Sequence, residues 1–377
     1  LLKDTEQVSE STIQKIKLLI GDEKDPIKKA RIIYKYVQDK SRYVSIQLGI
    51  GGWKPMLVSD VDKLGYGDCK ALSNYTRVLL REVGVESFYT IIYAGNDKND
   101  LNKDFVSMQG NHVILTIPHN NEYVFLECTS QTSPFGFNGD FTDDRYALIV
   151  KPEGGEIIKT NNYNAIKSSQ IISGNYSIND NGSFVGKIEI KSKGIQYEDK
   201  YRIINKSFDQ KDIYYKENFI WINNLKVNNT DIKNDYESIE LIENLLISAD
   251  NYASVNNDFL IFPINAFNRS LTLPQKYKLR DNSFEILRGF YDEDEIEVNL
   301  PQGFIMDAKP NDVVIKTKYG IYKLELEVIN SNKIKYKRSY LLNNGLYEKG
   351  EYEEFRIFKE QISRIDNSKI VLKKLTY

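Results

Sequence analysis

"YGDCKALSNYTRVLLREVG", residues 66–84, contains one of the two cysteines of the chain. Four mostly apolar residues recur at helical spacing: Leu72, Thr76, Leu79 and Val83. This spacing places them on one face and predicts an amphipathic helix. Gly84 suits the position just past the end of a helix, and Asp68 suits the N-cap. The stretch therefore predicts a helix with Cys69 in its first turn.

Two roles are open to Cys69. In the first turn of a helix, unpaired backbone N–H groups and the positive end of the helix dipole favour a negatively charged sulfur. Lys70 adds a positive charge nearby, and Gly65 and Gly67 allow a close approach of backbone and substrate. The alternative is a small core residue, because free cysteine is among the most buried residue types. The helix alone does not decide between a nucleophile and a core residue.

The composition excludes several classes of protein. Of the 377 residues, 41% are hydrophobic and 28% are charged, and the formal net charge is −2. This balance gives no electrostatic reason to expect nucleic acid or an anionic membrane as a partner. No apolar run approaches the roughly 20 residues that span a bilayer, and two cysteines cannot build a disulfide scaffold. Because the sequence starts "LLKDTEQVSE", without Met or a signal-like segment, we expect a piece of a longer chain.

A change of composition near residue 165 predicts two domains, 1–164 and 165–377. The first mixes helices and strands. Its segment "DPIKKARIIYKYVQDK" has Asp25 as a candidate N-cap and Pro26 in the first turn, and "VESFYTIIYA" is typical of a strand. The predicted fold class is therefore α+β.

The second domain is predicted to be mainly β. Short strands follow one another at regular spacing, with a turn at Asn181-Gly182, which is typical of a sandwich or a barrel-like sheet. Helices interrupt the strands near 196–222 and 348–365. This half has no histidine and no visible metal-ligand cluster, so it offers no readable chemistry.

The two histidines of the chain both belong to a predicted hairpin, "NHVILTI", "PHNN" and "EYVFLECT". If its turn is centred between His119 and Asn120, His112 lies directly opposite Glu127 on one face of the sheet. A carboxylate there would orient one imidazole nitrogen and leave the other free to act on a thiol. His119 falls at the turn, and Cys128 points to the opposite face, toward the core.

The His112–Glu127 pair also has a purely structural interpretation. An exposed couple across two strands contributes about 0.2–1 kcal/mol and no chemistry. A cysteine at a helix N-terminus, followed by a histidine and an acid on neighbouring strands, is nevertheless the combination that thiol catalysis requires.

Three motifs together resemble the core of the transglutaminase-like superfamily, which has a papain-like thiol-enzyme fold. They are "GYGDCKALSNYTRVLLREVGVESFYTIIY", "NHVIL" and "FLECTSQTSPFGF", within residues 25–150. The resemblance implies a helix carrying the nucleophile Cys69, packed on an antiparallel sheet that carries His112 as general base and acid and Glu127 as orienting carboxylate. More loosely, the chain resembles bacterial multidomain proteins in which this core lies between β-rich domains of unknown function. Such proteins are exported, which implies a periplasmic or cell-envelope location.

One departure concerns the acid. The superfamily usually has Asp in the third position, often as Asp-Pro-Thr, where this chain reads Glu127-Cys128-Thr129. An alternative acid could come from the loop "GDFTDDR", which contains Asp140, Asp143 and Asp144.

Acyl transfer also needs donors for a negatively charged oxygen. The backbone N–H of Cys69, at a helix start capped by Asp68, is the natural first donor. The side chain of Gln47 or the indole of Trp53 is a candidate second donor. In the alternative interpretation, Trp53 packs beside flexible glycines and Gln47 has no role in the chemistry.

The sequence leads to a cysteine-dependent acyl-transfer enzyme that hydrolyses peptide or side-chain amide bonds, with a peptide or protein as substrate and no cofactor or metal. A cross-linking transglutaminase is less favoured, because the sequence shows neither a calcium loop nor an amine-acceptor site. The alternative of another class is a non-catalytic cell-envelope module for binding or scaffolding. An accessible Cys69 close to His112 would support the enzyme, whereas a buried sulfur would count against it.

Overall fold

The computed structural model describes residues 2–46 and 48–375. The chain divides into two compact units, Leu1–Asn162 and Tyr163–Tyr377, close to the boundary predicted at 164/165. The first unit mixes helices with strands and the second is mainly β, which confirms the α+β class. Within the described ranges, none of the helices combines the length and hydrophobicity of a membrane span.

The helices of the N-terminal unit begin and end at residues suited to helix termini. They are α1 (Glu10–Ile20), α2 (Pro26–Lys40), α3 (Val58–Leu64), α4 (Cys69–Glu82) and α5 (Gly139–Thr142), with a 3₁₀ helix at Gly49–Gly52. As predicted, Asp25 caps α2, and its carboxylate accepts from the N–H groups of Ile27 and Lys28 at 2.8 and 2.9 Å. Helix α3 was not predicted.

Helix α4 ends as the sequence predicts. Gly84 adopts the left-handed region, with φ of 74°. Its N–H donates to the carbonyl of Arg81 at 3.0 Å, and the N–H of Val85 donates to the carbonyl of Leu80 at 2.9 Å. These two bonds form a Schellman motif, which satisfies carbonyls that the helix leaves free.

A five-stranded antiparallel sheet completes the unit, in the order β5-β4-β3-β6-β7. Its strands are β3 (Phe88–Ile92), β4 (His112–His119), β5 (Glu122–Leu126), β6 (Tyr146–Lys151) and β7 (Gly154–Lys159). Two short parallel strands, β1 (Arg42–Tyr43) and β2 (Tyr66–Gly67), pair separately before α4.

The hairpin β4–β5 has a different register from the predicted one. Asn120 and Asn121 both have positive φ, 49° and 63°, so they form a two-residue turn of the type that tight hairpins prefer. The pairs are His119 with Glu122 and Pro118 with Tyr123. The predicted turn, centred between His119 and Asn120, is therefore wrong by one residue, and every strand partner shifts by two.

Helix α4 is the centre of the N-terminal core. Its residues Leu72, Val78 and Leu79 are at most 1% exposed. They belong to one apolar cluster with side chains of α1, α2, α3, β4 and β5. Because burial of apolar surface is the main stabilising contribution to folding, this cluster fixes the position of α4 and of the cysteine at its start.

The C-terminal unit is built mainly from strands. They are β8 (Ser169–Ile178), β9 (Phe184–Lys193), β10 (Leu225–Asp235), β11 (Glu240–Ala249), β12 (Ser254–Asn256), β13 (Phe259–Pro263), β14 (Phe284–Ile286), β15 (Phe290–Asn299), β16 (Phe304–Ala308), β17 (Val313–Thr317), β18 (Gly320–Asn330), β19 (Lys333–Leu342), β20 (Gly345–Tyr347) and β21 (Lys369–Lys374). Eight form one sheet, in the order β10-β11-β9-β8-β15-β19-β18-β17, and four form another, β12-β13-β21-β16. Strands β8 and β15 are parallel, and the other neighbours in the eight-stranded sheet are antiparallel.

The helices of this unit lie where the sequence predicts interruptions. They are α6 (Ile195–Glu198), α7 (Phe208–Asn218) and α8 (Tyr352–Asp366), with 3₁₀ helices at Tyr201–Asn205 and Lys349–Glu351. The predicted Asn181-Gly182 turn joins β8 to β9. Gly182 has φ of 79°, and its N–H donates to the carbonyl of Asn179 at 3.0 Å.

Candidate active site

The start of α4 holds Cys69 in a fixed position. As predicted, Asp68 is the N-cap, and its carboxylate accepts from the N–H of Ala71 at 2.9 Å. Gly67 is required for packing, because a Cβ at this position would lie 2.9 Å from the Cβ of Ala71. Gly65 ends α3 in the left-handed region, with φ of 69°. The two glycines therefore serve local packing and helix termination; the predicted approach of a substrate to them has no support here.

Lys70 has a different role from the expected one. Its ammonium group is paired with the Asp68 carboxylate, and both residues are buried, at 8% and 3% exposed. The Asp68 carboxylate thus balances the positive charge of Lys70, so Lys70 has little effect on Cys69. The charge that acts on the sulfur comes from elsewhere.

His112 and Glu127 form a hydrogen-bonded pair. His112 is the first residue of β4, Glu127 directly follows β5, and Nε2 of the imidazole donates to Oε2 of the carboxylate at 2.8 Å. Extended by one position, the observed register sets Glu127 opposite Ile114, so His112 and Glu127 are diagonal neighbours, not directly opposed. Diagonal neighbours are about 7–8 Å apart, and the longer side chain of glutamate spans that gap. Glutamate in place of the usual aspartate therefore suits the diagonal placement of Glu127 relative to His112.

Thr129 holds the other oxygen of Glu127. Its backbone N–H donates to Oε1 at 3.1 Å, and its hydroxyl donates to the same oxygen. Hydrogen bonds to a carboxylate stabilise the charged form. Together with His112 they keep the pKa of Glu127 below its ordinary value although the residue is buried, since burial alone would raise it.

The imidazole is held in its protonated form. Burial disfavours the charged imidazolium, but the Glu127 carboxylate and the hydrogen-bonded side chain of Cys69 outweigh this effect and raise the pKa of His112 to about 10. Since Nε2 is engaged by Glu127, Nδ1 is the nitrogen left for the sulfur. The fold thus brings together the three residues that the sequence predicts: a cysteine that acts on the imidazole, a histidine, and the carboxylate to which the histidine is hydrogen-bonded.

These three residues are covered. Cys69 is 7% exposed, His112 9% and Glu127 7%. Cys69 packs in a small cluster with Tyr89 and Val113, and the partly buried Leu2 adjoins it. The accessible sulfur that would support the enzyme is therefore not found in this conformation, and a molecule from solvent would reach Cys69 only after a neighbouring side chain has moved.

The remaining predicted site residues are placed as follows. Trp53 follows the 3₁₀ helix and is 54% exposed, and Gln47 lies outside the described residues. Asp144 is paired with Lys98 and Lys159, and Glu127 supplies the carboxylate that binds His112.

Phe141 is a neighbour of His112 that sequence reasoning missed. Its ring contacts the imidazole edge-on, with centroids 5.3 Å apart and planes at 72°. Phe141 is 43% exposed, so the ring that contacts the imidazole also reaches solvent. In the sequence, the segment that contains it, "GDFTDDR", suggests only candidate acids.

Cys128 provides a built-in contrast to Cys69. As predicted, it points into the main apolar core, with Leu126. Burial is the main reason that the pKa of its thiol rises to about 12. Of the two cysteines, only Cys69 lies beside an imidazole that stabilises negative charge.

A cavity of about 450 Å³ lies next to the start of α4. Its wall includes Asp68, which directly precedes Cys69, and Asp60. The loop before α3 supplies the apolar part of the wall, with Ile46, Ile50, Pro55, Met56 and Leu57. A volume of this size accommodates a small peptide side chain.

The Glu127→Gln variant tests what holds the proton on His112. Without the carboxylate charge, only the side chain of Cys69 opposes the effect of burial, so the pKa of His112 is expected to fall well below about 10. NMR titration of the imidazole signals measures this directly, and the exposed His119 is an internal control whose signal does not change. Titration of His112 at the same pH in both proteins would contradict the account.

Comparisons with known proteins agree with this fold. Residues 14–128 match the transglutaminase-like superfamily, and residues 258–372 match a domain of unknown function with a solved structure. The chain is similar to the crystal structure of a putative protease from Parabacteroides distasonis, with 14% identity and a TM-score of 0.56. The match covers 99% of this chain and 57% of that chain, so this chain spans little more than half of that protein. No curated protein matches the sequence.

At 14% identity, the likeness to the solved structure concerns the fold alone. The family match covers the helix of Cys69 and both strands of the hairpin. The N-terminal unit therefore contains a transglutaminase-like core, which is followed by a mainly-β region that includes a domain of unknown function.

Proposed function

We propose that the protein is a cysteine-dependent acyl-transfer enzyme that hydrolyses amide bonds in peptides or side chains. The observation that carries this proposal is the placement of Cys69, at the start of α4, beside an imidazole that is hydrogen-bonded to Glu127. A nucleophile, a base and a group that orients the base, all within hydrogen-bonding reach, are what covalent catalysis needs. The structural neighbour named as a putative protease favours hydrolysis over cross-linking.

Each residue has a defined part in the reaction. The Cys69 sulfur attacks the carbonyl carbon and forms a C–S bond, and the carbonyl oxygen becomes negative. The unpaired N–H groups in the first turn of α4 stabilise that oxygen. When the C–N bond breaks, His112 gives its proton to the leaving amine, which leaves a thioester on Cys69.

The second half of the reaction returns the enzyme to its starting state. His112, now neutral, takes a proton from water while the water oxygen attacks the thioester carbonyl. The C–S bond breaks, the acid product leaves, and the sulfur again faces the imidazolium. Glu127 stays ionised throughout and holds the imidazole in position, with Thr129 fixing its second oxygen.

The burial of Cys69 favours a second candidate, a non-catalytic binding or scaffold module that retains the thiol-enzyme fold. A sulfur that is 7% exposed meets no substrate in this conformation. The enzyme proposal therefore requires an opening motion around Cys69, and the scaffold proposal does not. Acylation of Cys69 distinguishes the two.

The test uses p-nitrophenyl acetate, a small activated acyl donor that needs little room. Mass spectrometry of the peptides is expected to find an acetyl group on Cys69 in the wild type, accompanied by a burst of nitrophenol. Cys69→Ser is expected to lose both signals, and the matched control Cys128→Ser to keep them. If Cys69 is never acetylated while denatured protein is, the enzyme proposal is wrong and the scaffold is favoured.

A further inference from the structure

The C-terminal unit contains a polar cavity that the sequence did not indicate. Its floor is one face of the eight-stranded sheet, where register aligns Glu243 of β11 with Ile190 of β9 and Ile172 of β8. The segment 196–221 forms the opposite wall. The cavity has a volume of about 250 Å³, room for a ligand of about the size of a sugar or an amino acid, or for roughly eight water molecules.

Glu243, on the floor of the cavity, has one carboxylate oxygen without a hydrogen-bond partner among the described residues. It is 1% exposed and lines the cavity. Oε1 accepts from the hydroxyl of Tyr215 at 2.8 Å, whereas Oε2 has no hydrogen-bond partner among the described residues. Burial raises the pKa of this carboxyl. An unpaired buried carboxylate oxygen is costly, so a donor that enters the cavity is favoured there.

A second acidic side chain, Asp292, lines the same cavity, and burial raises the pKa of its carboxyl as it does that of Glu243. An ammonium group that enters beside these two carboxyls would favour their ionised forms. Asp292 accepts from the side-chain amide of Gln196 at 2.9 Å. Arg338 lies 3.9 Å from Asp292, but its closer bonds are to Asp294, at 3.0 Å, and Asp366, also at 3.0 Å.

Lys200 is the cation that lines the cavity. Its ammonium group is bonded to the side-chain oxygen of Gln170, and it donates to the hydroxyl of Ser192 at 3.2 Å. One ammonium group therefore faces two carboxylates, Glu243 and Asp292. A ligand that brings a further positive charge would balance them.

Aromatic rings form the apolar part of the wall. Trp221 and Phe219 both line the cavity, with ring centroids 6.5 Å apart. The indole N–H of Trp221 donates to the carbonyl of Ala266 at 2.7 Å, which fixes the orientation of the ring. Fixed aromatic faces next to carboxylates suit a cation with an attached carbon skeleton.

We propose that this cavity binds a small organic amine, whose ammonium group donates to Glu243 and whose carbon skeleton lies against Trp221 and Phe219. An anion would be repelled by Glu243 and Asp292. A metal ion has too few ligands, since the described residues form no group of three or more His, Cys, Asp or Glu side chains suited to one. A neutral polyol would leave the charges unbalanced. The proposal does not depend on the chemistry at Cys69.

The two tryptophans of the chain allow a direct test. Trp221 lines the cavity, and Trp53 belongs to the N-terminal unit. The protein is labelled with fluorotryptophan, and its two fluorine NMR signals are assigned with Trp53→Phe. Ethanolamine, cadaverine and D-glucosamine are titrated separately, with D-glucose as the neutral counterpart of glucosamine. We expect at least one amine to shift the Trp221 signal saturably, with no shift of Trp53 and none with glucose.

Variants then test the partner of the ammonium group. Glu243→Gln keeps the shape and the bond from Tyr215 but removes the charge, and it is expected to weaken binding of the amine at least about tenfold. The exposed Glu237→Gln, in the turn before β11, is the matched control and is expected to bind normally.

Three results would overturn the proposal: no shift of Trp221 with any amine, an equal shift with glucose, or unchanged affinity in Glu243→Gln. The comparison of amines with glucose uses the wild-type protein only, so it stands even if the variant does not fold.

Discussion

His112→Ala is expected to slow the acetylation of Cys69 by about 10²–10⁴-fold, the contribution typical of a general acid and base. The imidazolium is the positive charge that lies beside the sulfur, and in the amide hydrolysis proposed above it would also donate the proton to the leaving amine. Alanine removes both functions and leaves Glu127 without its partner. The rate of nitrophenol release from p-nitrophenyl acetate measures the effect, and circular dichroism checks that the variant is folded.

His119→Ala is the matched control for this experiment. His119 is exposed and lies at the other end of the same strand. Within the described residues, its ring is hydrogen-bonded to the side chain of its neighbour Asn120, at 3.0 Å. His119→Ala is expected to leave the rate of Cys69 acetylation within about twofold of the wild type, because it is a surface substitution away from the site. An equal slowing by both variants, or no slowing by His112→Ala, would mean that the His112–Glu127 pair is only structural.

Arg338→Met is expected to lower the free energy of unfolding of the C-terminal unit by about 3–5 kcal/mol, the usual cost of removing one partner from a buried ion pair. The Arg338 side chain is 0% exposed and binds Asp294 and Asp366, each at 3.0 Å. Its removal leaves these carboxylates buried without a cation. Burial already raises the pKa of Asp294 to about 7 even with Arg338 present.

Arg364→Met is the control for the loss of a charge alone. Arg364 is paired with Glu360 at 2.7 Å on the surface of α8, and its side chain is 77% exposed. Such pairs contribute about 0–1 kcal/mol. Urea unfolding, followed by Trp221 fluorescence in a Trp53→Phe background, reports on the C-terminal unit. A cost for Arg338→Met no larger than that for Arg364→Met would show that the buried charges do not stabilise the unit.

The sequence contains much of what determines the candidate site. The cap at Asp68, the helix beginning with Cys69 and the stop at Gly84 follow from local rules for helix termini, and the structure agrees with each. The pairing of His112 with Glu127 was also predicted, although from a wrong register. The error left both residues on the same face, because side chains alternate with a period of two along a strand.

The rest of the site depends on contacts that no local pattern reveals. The pairing of Lys70 with Asp68 and the edge-on contact of Phe141 with His112 arise only when the chain is folded. The coverage of Cys69 by side chains distant in sequence, such as Leu2 and Val113, has the same origin. This is why the sequence could not decide whether the sulfur is accessible, whereas the structure shows it covered.

The buried charges of the C-terminal unit could not be predicted from the sequence for a related reason. In "FYDEDEIEVN", acidic residues occupy successive positions of β15, so alternation cannot tell which of them point inward. Asp292 and Asp294 are buried, at 7% and 3% exposed, whereas Glu293 and Glu295 are exposed. The cation closest to Asp294, Arg338, lies on another strand, more than forty residues away in the sequence. Buried charges of this kind become recognisable only when the strands are paired.

Alkylation of Cys69 by iodoacetamide across pH, read for each cysteine by mass spectrometry, is the most direct test of the thiolate–imidazolium pair. Because the imidazolium of His112 lies beside the sulfur, we expect Cys69 to react faster than Cys128 at the same pH. Cys128, whose pKa is raised to about 12, is expected not to react. In His112→Ala the preference for Cys69 should disappear, and in denatured protein both cysteines should react alike. If Cys69 in the folded wild type reacts no faster than Cys128, or equally fast without His112, then His112 does not activate Cys69 and the protein is not the thiol enzyme proposed here.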